Sequence, residues 1–173
     1  MNDRGKLIDK HTLRFERLLP GPIERVWEYV TDAEKRGLWF ASGKMELKPG
    51  GDITFIFNNN DLSETPDSPP EKYKEYDGEV RSTAQVINCD PPQKITFSWG
   101  DDGIVTIELK EQADKVLLVL THEKLSKNKD ARLGIMAGWH THLNILRDKL
   151  EGKTINGFWK QHTACEKEYF DES

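Results

Sequence analysis

Cysteine is scarce: only Cys89 and Cys165 occur in 173 residues, far apart in the chain. That excludes a disulfide-stapled scaffold, and the spacing fits no metal-ligand pattern. Both are read as free thiols of a reducing compartment. Long apolar runs are also missing. No stretch approaches the roughly 20 residues that span a bilayer, and the N-terminus lacks the apolar core of a signal peptide. A cytoplasmic protein without a membrane partner is the expectation. Positive charge is not in excess, with 25 Lys and Arg against 30 Asp and Glu and a formal net charge of -5. Nucleic acid is therefore a poor partner. There is no Gly-x-Ser-x-Gly, no phosphate-binding glycine loop, no run of clustered buried carboxylates and no internal repeat.

What is present is organised around one long stretch, residues 130–152. Ile135, Met136, Trp139, Leu143, Leu146 and Leu150 recur at the three-and-four spacing of a helical face. Asp130 is placed to cap its start, and Gly152 to end it in a left-handed conformation. Such a helix spans about 30 Å, the width of a small domain.

Nearly everything before it alternates like strands. Leu13, Phe15 and Arg17 share one face of a first strand, which Pro20-Gly21-Pro22 stops; residues 1–10 read as polar and loosely held. Ile23, Val26, Trp27 and Val30 follow helical spacing, with Pro22 suited to the first helical position. Thr31 and Glu34 fit a capping box for a second short helix leading into Leu38-Trp39-Phe40. Met45 and Leu47 alternate as a strand ahead of Pro49-Gly50-Gly51, and Ile53, Phe55 and Phe57 alternate in the next. Residues 58–76 read as a long exposed loop. Strands at 80–89, 94–100, 104–110 and 116–123 are joined by short turns, Gly100–Gly103 among them, and predict an antiparallel meander. On the first of these, Val80, Ser82, Ala84, Val86 and Asn88 share a face. Val116–Leu120 is continuously apolar, as in a strand covered on both faces. Phe158, His162, Cys165 and Tyr169 share a face of an extra C-terminal helix, which packs on its own chain or, alternatively, forms a homodimer with a second copy.

The element order and three local patterns resemble the family of activator-of-heat-shock-protein-90-ATPase homologues, in the START/Bet v 1-like or SRPBCC superfamily. The patterns are Pro22-Ile-Glu-Arg-Val26-Trp27-Glu-Tyr-Val30-Thr31; Leu38-Trp39-Phe40 followed by Pro49-Gly50-Gly51; and Gly138-Trp139-His140-Thr141-His142-Leu143. The resemblance implies an α+β helix-grip fold. A curved antiparallel sheet of six or seven strands would wrap the long helix, with two short helices after strand one. It implies one domain over 1–173, with a core at about 10–152 and an extension at 153–173. The family name makes a chaperone a candidate partner.

A curved sheet and one helix close completely only if large side chains fill the gap. Trp39, Phe40, Phe55, Phe57, Phe97, Trp99, Ile135, Trp139 and His142 are the residues expected to line it. They either fill a plain core or surround a small, largely apolar ligand, aromatic or lipid-like. Gly134 and Gly138 leave one side of the helix bare, each at a cost of about 1 kcal/mol, which a close approach of sheet or ligand would justify. His140 and His142 lie about 200° apart around the axis and cannot share one ion. With His122 there is still no third ligand, so no metal or cofactor is expected. His142 is read as a polar anchor in the cavity or as a bonded histidine at a helix–sheet boundary. Arg17, on the inner face of its strand, would meet an acidic ligand group or a rim carboxylate. Non-enzymatic binding leads, a chaperone-interacting module is the alternative, and a polyketide-type cyclase or hydrolase follows because no acid–base set is legible.

Overall fold

The structure, a computed structural model, describes residues 3–101 and 103–171. Asp102 of the expected Gly100–Gly103 hairpin lies outside the described residues, as do the outermost residues of the two terminal segments. The strands are β1 (Lys6–Asp9), β2 (Thr12–Pro20), β3 (Asp52–Phe57), β4 (Val80–Asp90), β5 (Lys94–Trp99), β6 (Gly103–Gln112) and β7 (Lys115–Glu123). The helices are α1 (Ile23–Thr31), α2 (Ala33–Arg36), α3 (Lys129–Leu150) and α4 (Phe158–Asp171). All seven strands pair antiparallel in one curved sheet, ordered β1-β2-β7-β6-β5-β4-β3. The concave face presents Leu13 and Phe15 of β2, Leu118 and Leu120 of β7, Val105 and Ile107 of β6, Ile95 and Phe97 of β5, and Phe55 of β3. All of them are buried with Leu143, Leu146 and Leu150 of α3 in one core. This is a helix-grip fold.

The strand inventory differs from the expectation in two places. Residues 6–9 are not loose: they form an edge hairpin with β2, and Asp3 beside them pairs with Arg147 at 2.8 Å. Residues 43–47, by contrast, make only single bridges, Ser42 to Ile56 and Met45 to Ile53. Arg36 explains this. Its buried guanidinium donates to the carbonyls of Thr31 (2.9 Å), Ala41 (2.9 Å) and Gly43. Those bonds hold residues 41–43 in a curve that a ladder cannot use. The two short helices accordingly follow the second strand.

Caps moved by one or two residues. Asn128, not Asp130, caps α3 by accepting from Ala131 N at 3.0 Å. Asp32, not Thr31, caps α2 by accepting from Lys35 N, while Thr31 bonds back to Trp27 O and closes α1. Pro22 sits at the cap of α1 and not inside it. Gly152 does end α3 at positive φ, +71°.

Two facing assignments also change. The register of β4 against β5 shifts between Val86 and Asn88, so the side chains swap sides there. Cys89 then packs against the core and Asn88 is exposed. In β7 only Val116, Leu118, Leu120 and His122 are buried, while Leu117 and Val119 are half-buried on the convex face. That strand is covered on one side only.

The segment 58–76 is not simply an exposed loop. It carries short turns of 3-10 helix at Asn59–Asp61 and Glu71–Tyr76, and Asn59, Leu62 and Ser63 are buried. It is fastened to the C-terminal segment by three acceptors. Glu64 takes Ile155 N at 3.0 Å, and Asn60 takes Trp159 Nε1 at 2.7 Å. Asp67 takes the first-turn amides of α4, Trp159 N at 3.2 Å and Lys160 N at 3.0 Å. A carboxylate from 90 residues upstream thus caps α4, on the positive end of its dipole. Gly157 makes room for it: its φ is +61°, and a Cβ there would stand 2.6 Å from Asp67 Oδ2.

The other end of α4 is tied down by Tyr169, whose oxygen accepts from Gly5 N and lies 2.8 Å from His140 Nδ1. Phe158, Trp159, His162 and Tyr169 are buried against the same chain. A dimer built on that face would have to uncover them.

Candidate functional site

A cavity of about 610 Å³ lies between the β3–β5 end of the sheet and α3, and is closed by α4 and the 58–76 segment. The sheet contributes Phe55, Phe57 and Trp99, the segment after α2 contributes Phe40, and α3 contributes Ile135, Trp139 and His142. Exposed Tyr76, Ser82, Thr83, Gly100 and Asp130 mark its mouth.

Phe40 sits among these rings. It stacks on Trp139 with centroids 5.0 Å apart and meets Phe57 and His142 edge-on, each at 5.0 Å. Trp99 lies 5.4 Å from Trp139. Such contacts hold the rings in fixed orientations, so the aromatic wall is preorganised.

Of the nine residues expected to line a site, seven border this cavity. Trp39 and Phe97 do not; they border a separate void of about 10 Å³, too small for a ligand. Trp39 Nε1 donates to Tyr29 O at 2.6 Å, which turns its ring away from the cavity. Its carbonyl still matters, because His142 Nδ1 lies 2.8 Å from it. Among the lining residues not named from sequence, Asn59, Tyr73, Phe158, Trp159 and His162 come from the segment read as a loop and from the C-terminal extension. Their signal was the aromatic content of those two stretches, Tyr73 and Tyr76 in one and Phe158 and Trp159 in the other.

The glycines of α3 also border the cavity. A Cβ at Gly134 would meet the Tyr73 hydroxyl at 3.0 Å, whereas a Cβ at Gly138 would find nothing within 4 Å. Neither is explained by an approach of the sheet. At Gly138 the missing side chain is simply open space.

The histidines have separate partners. His122 Nδ1 accepts from Trp139 Nε1 at 3.0 Å, His140 bonds Tyr169, and His142 bonds the Trp39 carbonyl. Burial pushes all three down to about pH 4, so each is a neutral imidazole at pH 7. Among the described residues, no three His, Cys, Asp or Glu converge as metal ligands.

Arg17 is fully buried and donates to Asn144 Oδ1 (2.9 and 3.2 Å) and to Glu16 O (2.8 Å), away from the cavity. Among the described residues no rim carboxylate pairs with it. Burial holds its pKa down to about 10. No helix among the described residues is long and apolar enough to cross a membrane.

A curved sheet gripping a long helix, with two short helices packed at one end and a hollow at the other, defines the START/Bet v 1-like (SRPBCC) class. Within it, the profile described as activator of Hsp90 ATPase homolog 1-like protein matches residues 20–151, and the chain belongs to that family. A solution structure of a protein from Bordetella parapertussis is similar to it at 37% identity, with a TM-score of 0.80 over 97% of this chain and 89% of that one. Two more distant structures share the fold. One is CalU16 from Micromonospora echinospora, at 20% identity and TM-score 0.64 over 92% and 86% of the two chains. The other is a conserved protein of unknown function from Enterococcus faecalis, at 20% identity and TM-score 0.68 over 99% and 92%. No curated protein matches significantly.

Proposed function

We propose that the chain binds a small, largely apolar molecule in the aromatic cavity, without chemistry of its own. The observation that carries this reading is the cavity at Gly138: about 610 Å³ of space, walled by fixed rings, over a helix face that gives up its side chain. Cavities of 300–1,000 Å³ lined by rings and a few polar groups are the usual form of small-molecule sites. Membership in a superfamily that includes ligand binders and polyketide-cyclase-like proteins agrees with it.

A catalytic reading finds less support. Among the described residues that line the cavity, none pairs a nucleophile with a base. The Tyr73 hydroxyl is bonded to Glu166, which also pairs with Lys72, and burial beside that carboxylate raises the Tyr73 pKa further from neutrality.

The test is titration of the protein with planar aromatic compounds and with fatty acids, following tryptophan fluorescence and melting temperature. Trp99, Trp139 and Trp159 border the cavity, so an occupant should quench emission and raise Tm together. A panel that moves neither quantity counts against a binding role.

A further inference from the structure

We infer that the molecule bound in the cavity is neutral and donates a hydrogen bond, as a phenol or alcohol does, and that His142 Nε2 is the atom that accepts it. The inference rests on the binding role proposed above and narrows its chemistry.

The tautomer follows from the partner. The Trp39 carbonyl can only accept, so His142 Nδ1, 2.8 Å away, carries the hydrogen and donates it. Since the neutral ring has one N–H, Nε2 is left with its lone pair. His142 is 5% exposed and borders the cavity. Its Nε2 bonds no protein atom among the described residues, yet it is not one of the buried side-chain atoms that are both sealed off and unpartnered. It therefore opens into the cavity as an acceptor. The ring cannot turn to offer an N–H instead without giving up the Trp39 bond. Phe40 edge-on at 5.0 Å and Phe158 at 4.9 Å hold its plane.

The surroundings disfavour an anion. Among the described residues no Lys or Arg borders the cavity, and the one carboxylate that does, Asp130, is at the mouth. Arg17 and Arg36, the two buried cations, are bonded to Asn144 and to backbone carbonyls. A carboxylate inside would lose its hydration among mostly aromatic walls and the His142 lone pair, with no cation bordering the cavity among the described residues. Protonating His142 to receive it would work against burial, which already holds the imidazole neutral. Fatty acids and aryl carboxylates are thus disfavoured, and hydroxylated aromatics are favoured.

Four compounds of one size separate these statements: naphthalene, 2-methoxynaphthalene, 2-naphthol and 2-naphthoate. Binding to the full-length protein would be measured by calorimetry at pH 7.5. The naphthol is expected to bind about tenfold more tightly than the methoxy compound, the worth of one net hydrogen bond. The naphthoate is expected to bind at least about a hundredfold more weakly than the naphthol, the penalty of an unpaired buried charge. In His142→Phe the naphthol and methoxy compounds should bind alike. If that variant fails to fold, the wild-type series decides alone. Equal binding of naphthol and methoxynaphthalene, or naphthoate binding as well as naphthol, overturns the inference and leaves the cavity as a binding site. Failure of all four to bind, naphthalene included, overturns the binding role and this inference with it.

Discussion

Replacing Gly138 by alanine tests whether the hollow above α3 is real. In a helix interior, alanine is better than glycine by about 0.8–1.0 kcal/mol, chiefly because it has less backbone freedom to lose. That gain is normally offset where glycine admits a close neighbour. Here a Cβ has no atom within 4 Å, so nothing opposes it. For a chain of this size 1 kcal/mol corresponds to about 2–4 °C in Tm. Gly138→Ala should therefore melt about 2–4 °C higher than the wild type by calorimetry or circular dichroism. Gly134→Ala is the internal control. Its Cβ would press on the Tyr73 hydroxyl at 3.0 Å, and that hydroxyl is fixed by Glu166, so the propensity gain should be largely cancelled. A Tm for Gly138→Ala that is unchanged or lower would refute the open space. Gly138→Leu extends the test to function: its larger side chain should fold but weaken an aromatic ligand by about tenfold or more, since the two compete for one volume. Unaltered affinity would place the ligand elsewhere.

Three further outcomes are expected. His122, His140 and His142 have folded pKa values of about 4, below the ordinary 6.5, so stability is whole above pH 6.5 and falls as the pH drops from 6.5 towards 4. At pH 5.5 each unfolded histidine has gained about 1.4 kcal/mol from protonation, or about 4 kcal/mol for the three, and urea midpoints at pH 7.5 and 5.5 should show a fall of that order. Arg36→Met should cost about 3 kcal/mol or more, because three backbone carbonyls lose their donor. Arg17→Met with Asn144→Leu should cost less, about 1 kcal/mol, since an apolar pair replaces both side chains and only the Glu16 carbonyl loses a donor; denaturant titration of the two variants ranks them. Removing residues 153–173 deletes Phe158, Trp159 and Tyr169, each worth about 1.5–3 kcal/mol buried, and uncovers their partners His142, Tyr73 and His140. A lower urea midpoint and new binding of a hydrophobic dye are expected, and an unchanged midpoint would contradict the packing of α4.

Much of the scaffold is legible in the residues, because its signals are local. The alternation in β2 and in β5–β7, and the three-and-four spacing of α3, point to sheet and helix without knowledge of tertiary contacts. Several errors fall where a specific side-chain or register contact overrides a local pattern. Met45 and Leu47 alternate like a strand, but the Arg36 bonds bend the backbone beside them. Cys89 and Asn88 exchange sides because of one register shift, which alternation cannot reveal. The site shows the same division. The seven lining residues named from sequence sit on the fold's regular elements or close after α2, while Asn59 and Trp159 reach the cavity where Asn60, Glu64 and Asp67 bind the C-terminal segment more than 90 residues away. Polar side chains that find partners across such separations leave no periodic trace.

The capping of α4 by Asp67 has one more consequence. The family profile ends at residue 151, so the stopper of the vessel, α4, lies past its end while the residues that fasten it, Asn60, Glu64 and Asp67, lie within it. Cousins could inherit the same bowl and still differ in what they admit, through exchanges at Asp67, Gly157 or Trp159.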